Sequence, residues 1–198
     1  MTGGAWVHLH WLPLGAGGSA LVRLSGRTYE RVVARRAHRS PRAILHTALE
    51  VCLEGHAWTV EVAPVWLGTA PESSSVAQGA VGSRLLGVSR LFRYEVRCWR
   101  DGVIPDAAYA VGGPVDVPTD PSRVADLLEL VRAVPTPVWG RDELGAGEMW
   151  NSNSVVAWLL VGSGHDVMTL RPPTGGRAPG WDAGLRLAPT PPLHEVRV

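Results

Sequence analysis

The stretch Ile44–Val62 reads ILHTALEVCLEGHAWTVEV and indicates the fold class. Two runs that favour β structure, 44–51 and 58–62, lie on either side of the dipeptide Glu54-Gly55. Glycine adopts a positive φ without strain, which is what a tight turn between paired strands requires. The stretch therefore predicts an antiparallel β-hairpin.

Further strands are predicted on both sides of this hairpin. Trp6–Leu12 alternates with the two-residue period of a strand, and Ser19–Leu24 supplies a second β-rich run after a glycine-rich turn. The chain is therefore expected to begin with a hairpin. Leu91–Trp99 carries apolar residues at alternate positions, which predicts another strand.

Two other segments are interpreted as connections. Arg31–Arg39 is basic, and Ser40-Pro41 closes it, which indicates a solvated link. Gly68–Gly82 is small and polar, which is typical of an exposed loop.

Helices are predicted in the second half of the chain. Asp120-Pro121 is a helix-start signal, because aspartate caps free backbone N–H groups and proline is tolerated at the first helical position. This helix is expected to end before Pro135, and a second helix is predicted over Asn153–Leu160. The tail predicts a loop with a strand at Leu185–Leu187. We therefore expect one α+β domain over residues 1–198, with an antiparallel sheet of about five or six strands and a few helices.

Charge and cysteine content limit the classes of partner. The 198 residues carry a formal net charge of +1, so no whole-protein field attracts nucleic acid or an anionic membrane. The two cysteines, Cys52 and Cys98, do not form a dense disulfide framework, which favours reduced thiols. The sequence has no signal-peptide pattern and no apolar run of about 18 residues, so a cytoplasmic location is expected.

The segment 150–160 places Ser152 between Asn151 and Asn153, directly before an apolar run. A helix start presents free N–H groups and a positive dipole end, which stabilise an ionising nucleophile and the oxyanion of acyl transfer. Asn and Ser are also the preferred capping residues of helices, and a cap needs no catalysis. Both interpretations apply to this segment.

A histidine stands at the start of the first strand of the hairpin, in the run LHTALEV at Leu45–Val51. Together with the Asn-Ser-Asn stretch, it resembles the PPPDE family of permuted papain-like peptidases. In that family a His-Thr strand precedes an Asn-Cys-Asn stretch at a helix start. The resemblance implies a permuted papain-like fold, with His46 as general base and Ser152 at the position of the nucleophilic cysteine. It also implies that Asn151 and Asn153 support the oxyanion.

Serine at a cysteine position implies either a serine hydrolase or a lapsed enzyme, because a hydroxyl needs a well-placed base to become a nucleophile. Ser154 is a rival nucleophile, since a shift of two residues matches a related Asn-Cys signature of permuted papain-like acyltransferases. The pair His165-Asp166 is a weaker alternative base and orienting group. The candidates for orienting His46 are the carboxylates of Glu50, Glu61 and Asp166.

A proline- and glycine-rich loop, Arg171–Asp182, combines Arg177 and Trp181. Such a loop can line a cleft and bind a substrate carboxylate through Arg177. It can equally be a surface loop, pinned by Trp181 against the core and by a pair between Arg177 and Asp182.

Metal and cofactor chemistry are not expected. His8 and His10 alternate on one strand face and can be combined with His46 or His56, but no carboxylate or cysteine at ligand spacing accompanies them. The sequence has no Gly-x-Ser-x-Gly elbow, phosphate loop or dinucleotide fingerprint, so no organic cofactor is implied.

The leading hypothesis is a hydrolase or acyl-transfer enzyme that cleaves an amide, isopeptide or ester bond through Ser152 and His46. Its substrate is expected to be a peptide, a protein or a small ester or amide. The alternative is a catalytically lapsed papain-like binding module.

Overall fold

The computed structural model of the chain describes residues 4–16, 20–66 and 74–192. Its strands are β1 (Trp6–Pro13), β2 (Ala43–Leu53), β3 (His56–Pro64), β4 (Ser75–Ala80), β5 (Arg93–Arg100), β6 (Val115–Val117) and β7 (Gly176–Arg177). Its α-helices are α1 (Ala20–Arg36), α2 (Pro121–Leu130), α3 (Ser152–Gly162) and α4 (Trp181–Leu187). The architecture is mixed α+β, as the sequence predicts.

The strands form one sheet in the order β4-β5-β3-β2-β1-β6. Neighbouring strands in this order run antiparallel, and the two-residue β7 pairs in parallel with the start of β2. The predicted hairpin is confirmed: β2 and β3 flank a turn in which Glu54 and Gly55 have φ values of 53° and 79°. Two positive φ values in succession match a tight turn to the twist of the paired strands.

One face of the sheet packs against α3 and is called the helical face. Successive side chains of a strand point to opposite faces, so the odd-numbered residues of β2 lie together. Leu45, Leu49 and Val51 belong to the same apolar core as the buried residues of α3. This core lies between the sheet and the helices α2, α3 and α4.

The opposite face is called the polar face. Ala48 of β2 packs there with Leu12 of β1 and with Ile104 from the connection between β5 and β6. The strand register also places several titratable side chains on this face, buried or half-buried, among them His10, His46, Glu50, Glu61, Glu95 and Arg97. Buried charged groups are stable only when they are paired, so this face requires a network of ion pairs.

The predicted second strand and basic connection are wrong where the structure describes them. The described residues of Ser19–Leu24, and Arg31–Arg36 of the basic segment, belong to α1. Over residues 22–36 of α1, the residues buried against the rest of the protein are Gly26, Glu30 and Ala34. This four-residue spacing is helical, but the buried residues are small or charged, so the periodicity of apolar residues does not reveal the helix.

Two further expectations are corrected. The predicted loop Gly68–Gly82 contains β4, while its residues 68–73 lie outside the described part of the chain. Leu185–Leu187 is part of α4 and not a strand. The strand over 91–99 and the two later helices are confirmed: α2 ends before Pro135, and the bounds of α3 differ from the prediction by one or two residues. Within the described residues, no helix has the length and apolar character needed to cross a membrane.

Candidate functional site

The start of α3 is closed by a capping network. The side chain of Asn151 accepts hydrogen bonds from the backbone N–H groups of Asn153 and Ser154, at 2.9 and 3.4 Å. In return, Oγ of Ser154 accepts from the N–H of Asn151 at 3.1 Å and donates to the carbonyl of Gly180 at 2.7 Å. This reciprocal arrangement satisfies N–H groups that a helix start leaves unpaired.

Asn153 joins α3 to two other parts of the fold. Its Nδ2 donates to the carbonyl oxygens of Leu45, at 3.0 Å, and of Pro179, at 2.9 Å. Its Oδ1 accepts from Oγ1 of Thr47 at 3.1 Å. We call these contacts the α3–β2 joint. The amide group of Asn153 is used by the joint, and Nδ2 of Asn151 also donates to the carbonyl of Pro179, at 2.8 Å.

His46 lies on the polar face, away from this joint. Its Nε2 is 3.0 Å from Oδ2 of Asp106, which lies in the connection between β5 and β6. The cross-strand neighbour of His46 in β1 is Leu12, a member of the small core on the polar face. Since Thr47 faces α3, strand alternation places the imidazole of His46 on the opposite side of the sheet.

The structure therefore does not bring the two predicted catalytic side chains together. Ser152 is the first residue of α3 and is only 3% exposed. Within the described part of the chain, no hydrogen bond joins Ser152 to His46, and the β2 groups bonded to the helix start are the side chain of Thr47 and the carbonyl of Leu45. A general base must reach the proton it removes, directly or through one water, so this arrangement has no base for Ser152.

The His46–Asp106 pair belongs to the network of the polar face. Burial raises the pKa of Asp106, but the hydrogen bond to His46 and the electrostatic interaction with it, with smaller contributions from a backbone hydrogen bond and His10, outweigh burial, and the net effect lowers the pKa. Nearby, burial raises the pKa of Glu61, and the guanidinium of Arg97 opposes this shift. Arg97 pairs closely with Glu95, with 2.6 Å between Nη2 and Oε1.

The carboxylate hydrogen-bonded to His46 is Asp106, which is not among the sequence-based candidates; of those, Glu61 shares the polar face and interacts electrostatically with His46. Glu50 pairs with His10 at 3.0 Å, and Asp166 accepts from the N–H of Met168 at 2.9 Å. Asp106 is 60 positions from His46, in an irregular connection, and no spacing motif links the two residues. Only the fold reveals that they meet.

The side chains of Arg177 and Trp181 contact other elements of the fold, α1 and β1. Nη1 of Arg177 lies 3.1 Å from Oε2 of Glu30 in α1, so its partner is not Asp182. Trp181 is buried and packs against Trp11 of β1, with ring centroids 5.1 Å apart. The loop is thus pinned by Trp181, as one of the two sequence interpretations expects.

His8 and His165 also have structural partners. Nε2 of His8 lies 3.0 Å from a carboxylate oxygen of Asp116. His165 is buried, with its two ring nitrogens 2.8 Å from Oγ1 of Thr119 and 2.9 Å from Oγ of Ser163. Across the described ranges, no group of three or more His, Cys, Asp or Glu side chains is arranged to hold a metal ion.

A hollow of about 300 Å³ adjoins the start of α3. Its lining includes Tyr29, Asp142, Glu148 and Met149, and it includes neither His46 nor Ser152. The hollow is therefore acidic, and the predicted reacting atoms do not open into it.

Comparison of the chain with protein-family models, with curated proteins and with solved structures found no significant match.

Proposed function

We propose that this chain is a non-catalytic binding protein of the papain-like type, rather than a serine hydrolase. The observation that supports this proposal is the separation of His46 and Ser152 by the sheet. A hydroxyl without a base remains a poor nucleophile at neutral pH.

The asparagines at the start of α3 support the same proposal. An oxyanion hole needs donors that point at the place where negative charge develops. The amide groups of Asn151 and Asn153 instead donate to the carbonyl oxygens of Leu45 and Pro179. The Asn-Ser-Asn stretch thus serves as a cap and a joint.

One observation favours a hydrolase as the second candidate. His46 and Asp106 have the form of a base with an orienting carboxylate, at 3.0 Å. In this candidate the substrate is a peptide, a protein or a small ester or amide. Reaction at Ser152 would require β2 to reverse the direction of two successive side chains, which a strand paired on both sides opposes.

Chemical labelling separates the two candidates. We expect a fluorophosphonate probe to leave wild-type Ser152 unlabelled, because no base activates its hydroxyl. In the Ser152→Cys variant, we expect iodoacetamide to modify the introduced thiol no faster than Cys98. Cys98 is a fitting internal reference, since burial raises the pKa of its thiol to about 11. Labelling of Ser152 that His46→Ala abolishes, without loss of folding, overturns the proposal in favour of the hydrolase.

We also propose a cytoplasmic location. Cys52 and Cys98 are both free thiols, which is typical of proteins kept in a reducing compartment.

A further inference from the structure

Helix α1 carries a row of arginines along one side. Arg23, Arg27 and Arg31 are spaced by four residues, and each is exposed. Residues four apart on a helix lie on neighbouring turns, about 6 Å apart. Like charges at this spacing destabilise a helix, so this row is unfavourable unless an anion lies beside it.

The row forms one wall of a cleft with a volume of about 500 Å³. Arg42 adds a fourth guanidinium from the segment that leads into β2, and the rest of the lining is mainly apolar, including Pro13, Leu14 and Ile44. A volume of this size is that of a small-molecule site, and most such sites combine apolar walls with a few polar groups.

The acidic residue of the cleft lining, Glu30, is already neutralised. Nη1 of Arg39 lies 2.5 Å from Oε1 of Glu30, and Nη1 of Arg177 lies 3.1 Å from Oε2. Burial alone would raise the pKa of Glu30, but these two guanidinium groups and the N–H of Arg42 lower it to about 2. Glu30 is thus ionised at neutral pH, and its charge is shared by two arginines that do not line the cleft.

The four lining guanidinium groups have no carboxylate partner among the described residues. Arg23 donates to the carbonyl of Gly15 at 3.0 Å, which uses a donor but cancels no charge. In the part of the chain that the structure describes, no carboxylate forms an ion pair with Arg27, Arg31 or Arg42. The cleft therefore holds about four positive charges against an apolar wall.

We propose that this cleft binds a ligand with two or more phosphate groups and an apolar part. Guanidinium groups bind phosphate oxygens through paired, charge-assisted hydrogen bonds, and the apolar wall suits the rest of the ligand. This proposal rests on the binding function proposed above. It supplies a ligand for that function and assigns no reaction to the bound molecule.

Titration calorimetry with inorganic tripolyphosphate at about 0.15 M salt, where the screening length is about 8 Å, tests the proposal. We expect the wild-type protein to bind tripolyphosphate. We expect the double variant Arg27→Gln/Arg31→Gln to bind it at least about 10-fold more weakly, because each substitution removes a charge-assisted hydrogen bond. The matched control is Arg90→Gln/Arg132→Gln, which removes the same charge from exposed positions outside α1 and outside the cleft. Its affinity should stay within about 3-fold of wild type, which is the range of a screened, distant charge.

Two results would overturn the proposal. The first is no binding of tripolyphosphate by the wild-type protein. The second is equal weakening in both double variants, which would indicate a diffuse basic surface, including one that binds nucleic acid. The four substituted arginines are exposed, so folding is expected to be unaffected, and thermal melting of each variant verifies this.

A second arm distinguishes a soluble phosphate ligand from a lipid headgroup. Vesicles of phosphatidylcholine with and without a phosphorylated inositol lipid are sedimented with the protein. Co-sedimentation that tripolyphosphate reverses assigns the cleft to a headgroup, whereas tripolyphosphate binding without co-sedimentation assigns it to a soluble ligand. Failure of the phosphate-ligand proposal is distinct from failure of the binding-protein proposal. Probe labelling tests whether Ser152 reacts, whereas calorimetry tests whether the arginines of α1 bind phosphate.

Discussion

His46 and Thr47 are consecutive residues of β2, and their side chains lie on opposite faces of the sheet. Nε2 of His46 is 3.0 Å from Oδ2 of Asp106, whereas Oγ1 of Thr47 is 3.1 Å from Oδ1 of Asn153. Strand geometry enforces this division, and a shift of one residue in register would exchange the two roles. The chemistry available at α3 is therefore set by Thr47, a residue that orients its neighbours but takes up no proton near neutral pH.

The α3–β2 joint should be important for stability, while Ser152 should not. Asn153→Ala removes three hydrogen bonds and should lower the free energy of unfolding by roughly 3 kcal/mol, at about 1 kcal/mol each. Ser152→Ala is the matched control and should cost less than about 1 kcal/mol, because its side chain takes no part in the joint. Urea denaturation measures both. An equal cost for the two variants contradicts this account.

The sequence predicts the hairpin because its signals are local. Glu54-Gly55 lies between two runs of strand character, and the structure has the turn there. The cap at Asn151 is also encoded locally, and the capping interpretation of this stretch agrees with its hydrogen bonds. Which face of the sheet His46 occupies depends on register and on the placement of α3, and neither is visible in a seven-residue segment.

Helix α1 shows why other parts of the fold are not predictable from the sequence. Its buried positions, Gly26, Glu30 and Ala34, carry little apolar surface, so the usual helical periodicity is absent. The four-residue spacing of Arg23, Arg27 and Arg31 was the signal that remained in the sequence. Asp106 gave no comparable signal, because its meeting with His46 depends on long-range packing.

The Asp106 carboxylate should stabilise the fold at neutral pH but not in strong acid. Its pKa is lowered in the folded state, because His46 outweighs the effect of burial. Stability from this group is therefore complete above its ordinary value of 3.8 and is lost as the pH falls through the folded pKa. Asp106→Asn should cost roughly 2 kcal/mol at pH 7, the range for hydrogen bonds to charged groups, and less at pH 3.

The exposed pair of His8 and Asp116 is the matched control for this substitution. Its nitrogen-to-oxygen distance is also 3.0 Å, but the side chain of Asp116 is 91% exposed. Exposed ion pairs contribute little, so Asp116→Asn should leave the unfolding curve near that of wild type at both pH values. A similar loss in both variants would mean that burial of the His46–Asp106 pair has no special effect.

Stability should fall as the pH is lowered from about 6.5 to about 4, because of His165. Burial, assisted by the positive charge of Arg123, lowers the pKa of its imidazole from 6.5 to about 4. The unfolded chain then takes up a proton that the folded chain does not, which favours unfolding in this range. The shift corresponds to about 3 kcal/mol once the pH is below 4.

Chemical denaturation of wild type and His165→Asn across this pH range measures the effect. The difference in free energy of unfolding between wild type and His165→Asn should shrink as the pH falls, because asparagine binds no proton in this pH range. His38→Asn, at an exposed histidine, is the control for the exchange of histidine for asparagine and should change the free energy of unfolding at pH 7 by less than about 0.5 kcal/mol. If the difference in free energy of unfolding between wild type and His165→Asn stays constant from pH 7 to pH 4, His165 is not the source of the pH dependence.

The close approach of α4 to α3 depends on the missing side chain of Gly184. An added Cβ there would collide with the backbone carbonyl of Ser154 and press on Cβ of Ala157. Backbone cannot rotate away, so Gly184→Ala should destabilise the protein by about 1–3 kcal/mol, although alanine favours a helix. Gly26→Ala is the matched control: its added Cβ meets only the end of the Leu14 side chain, which can rotate. Its melting temperature should stay near that of wild type, whereas Gly184→Ala should melt several degrees lower. Equal melting temperatures for the two variants would show that α4 moves freely over α3.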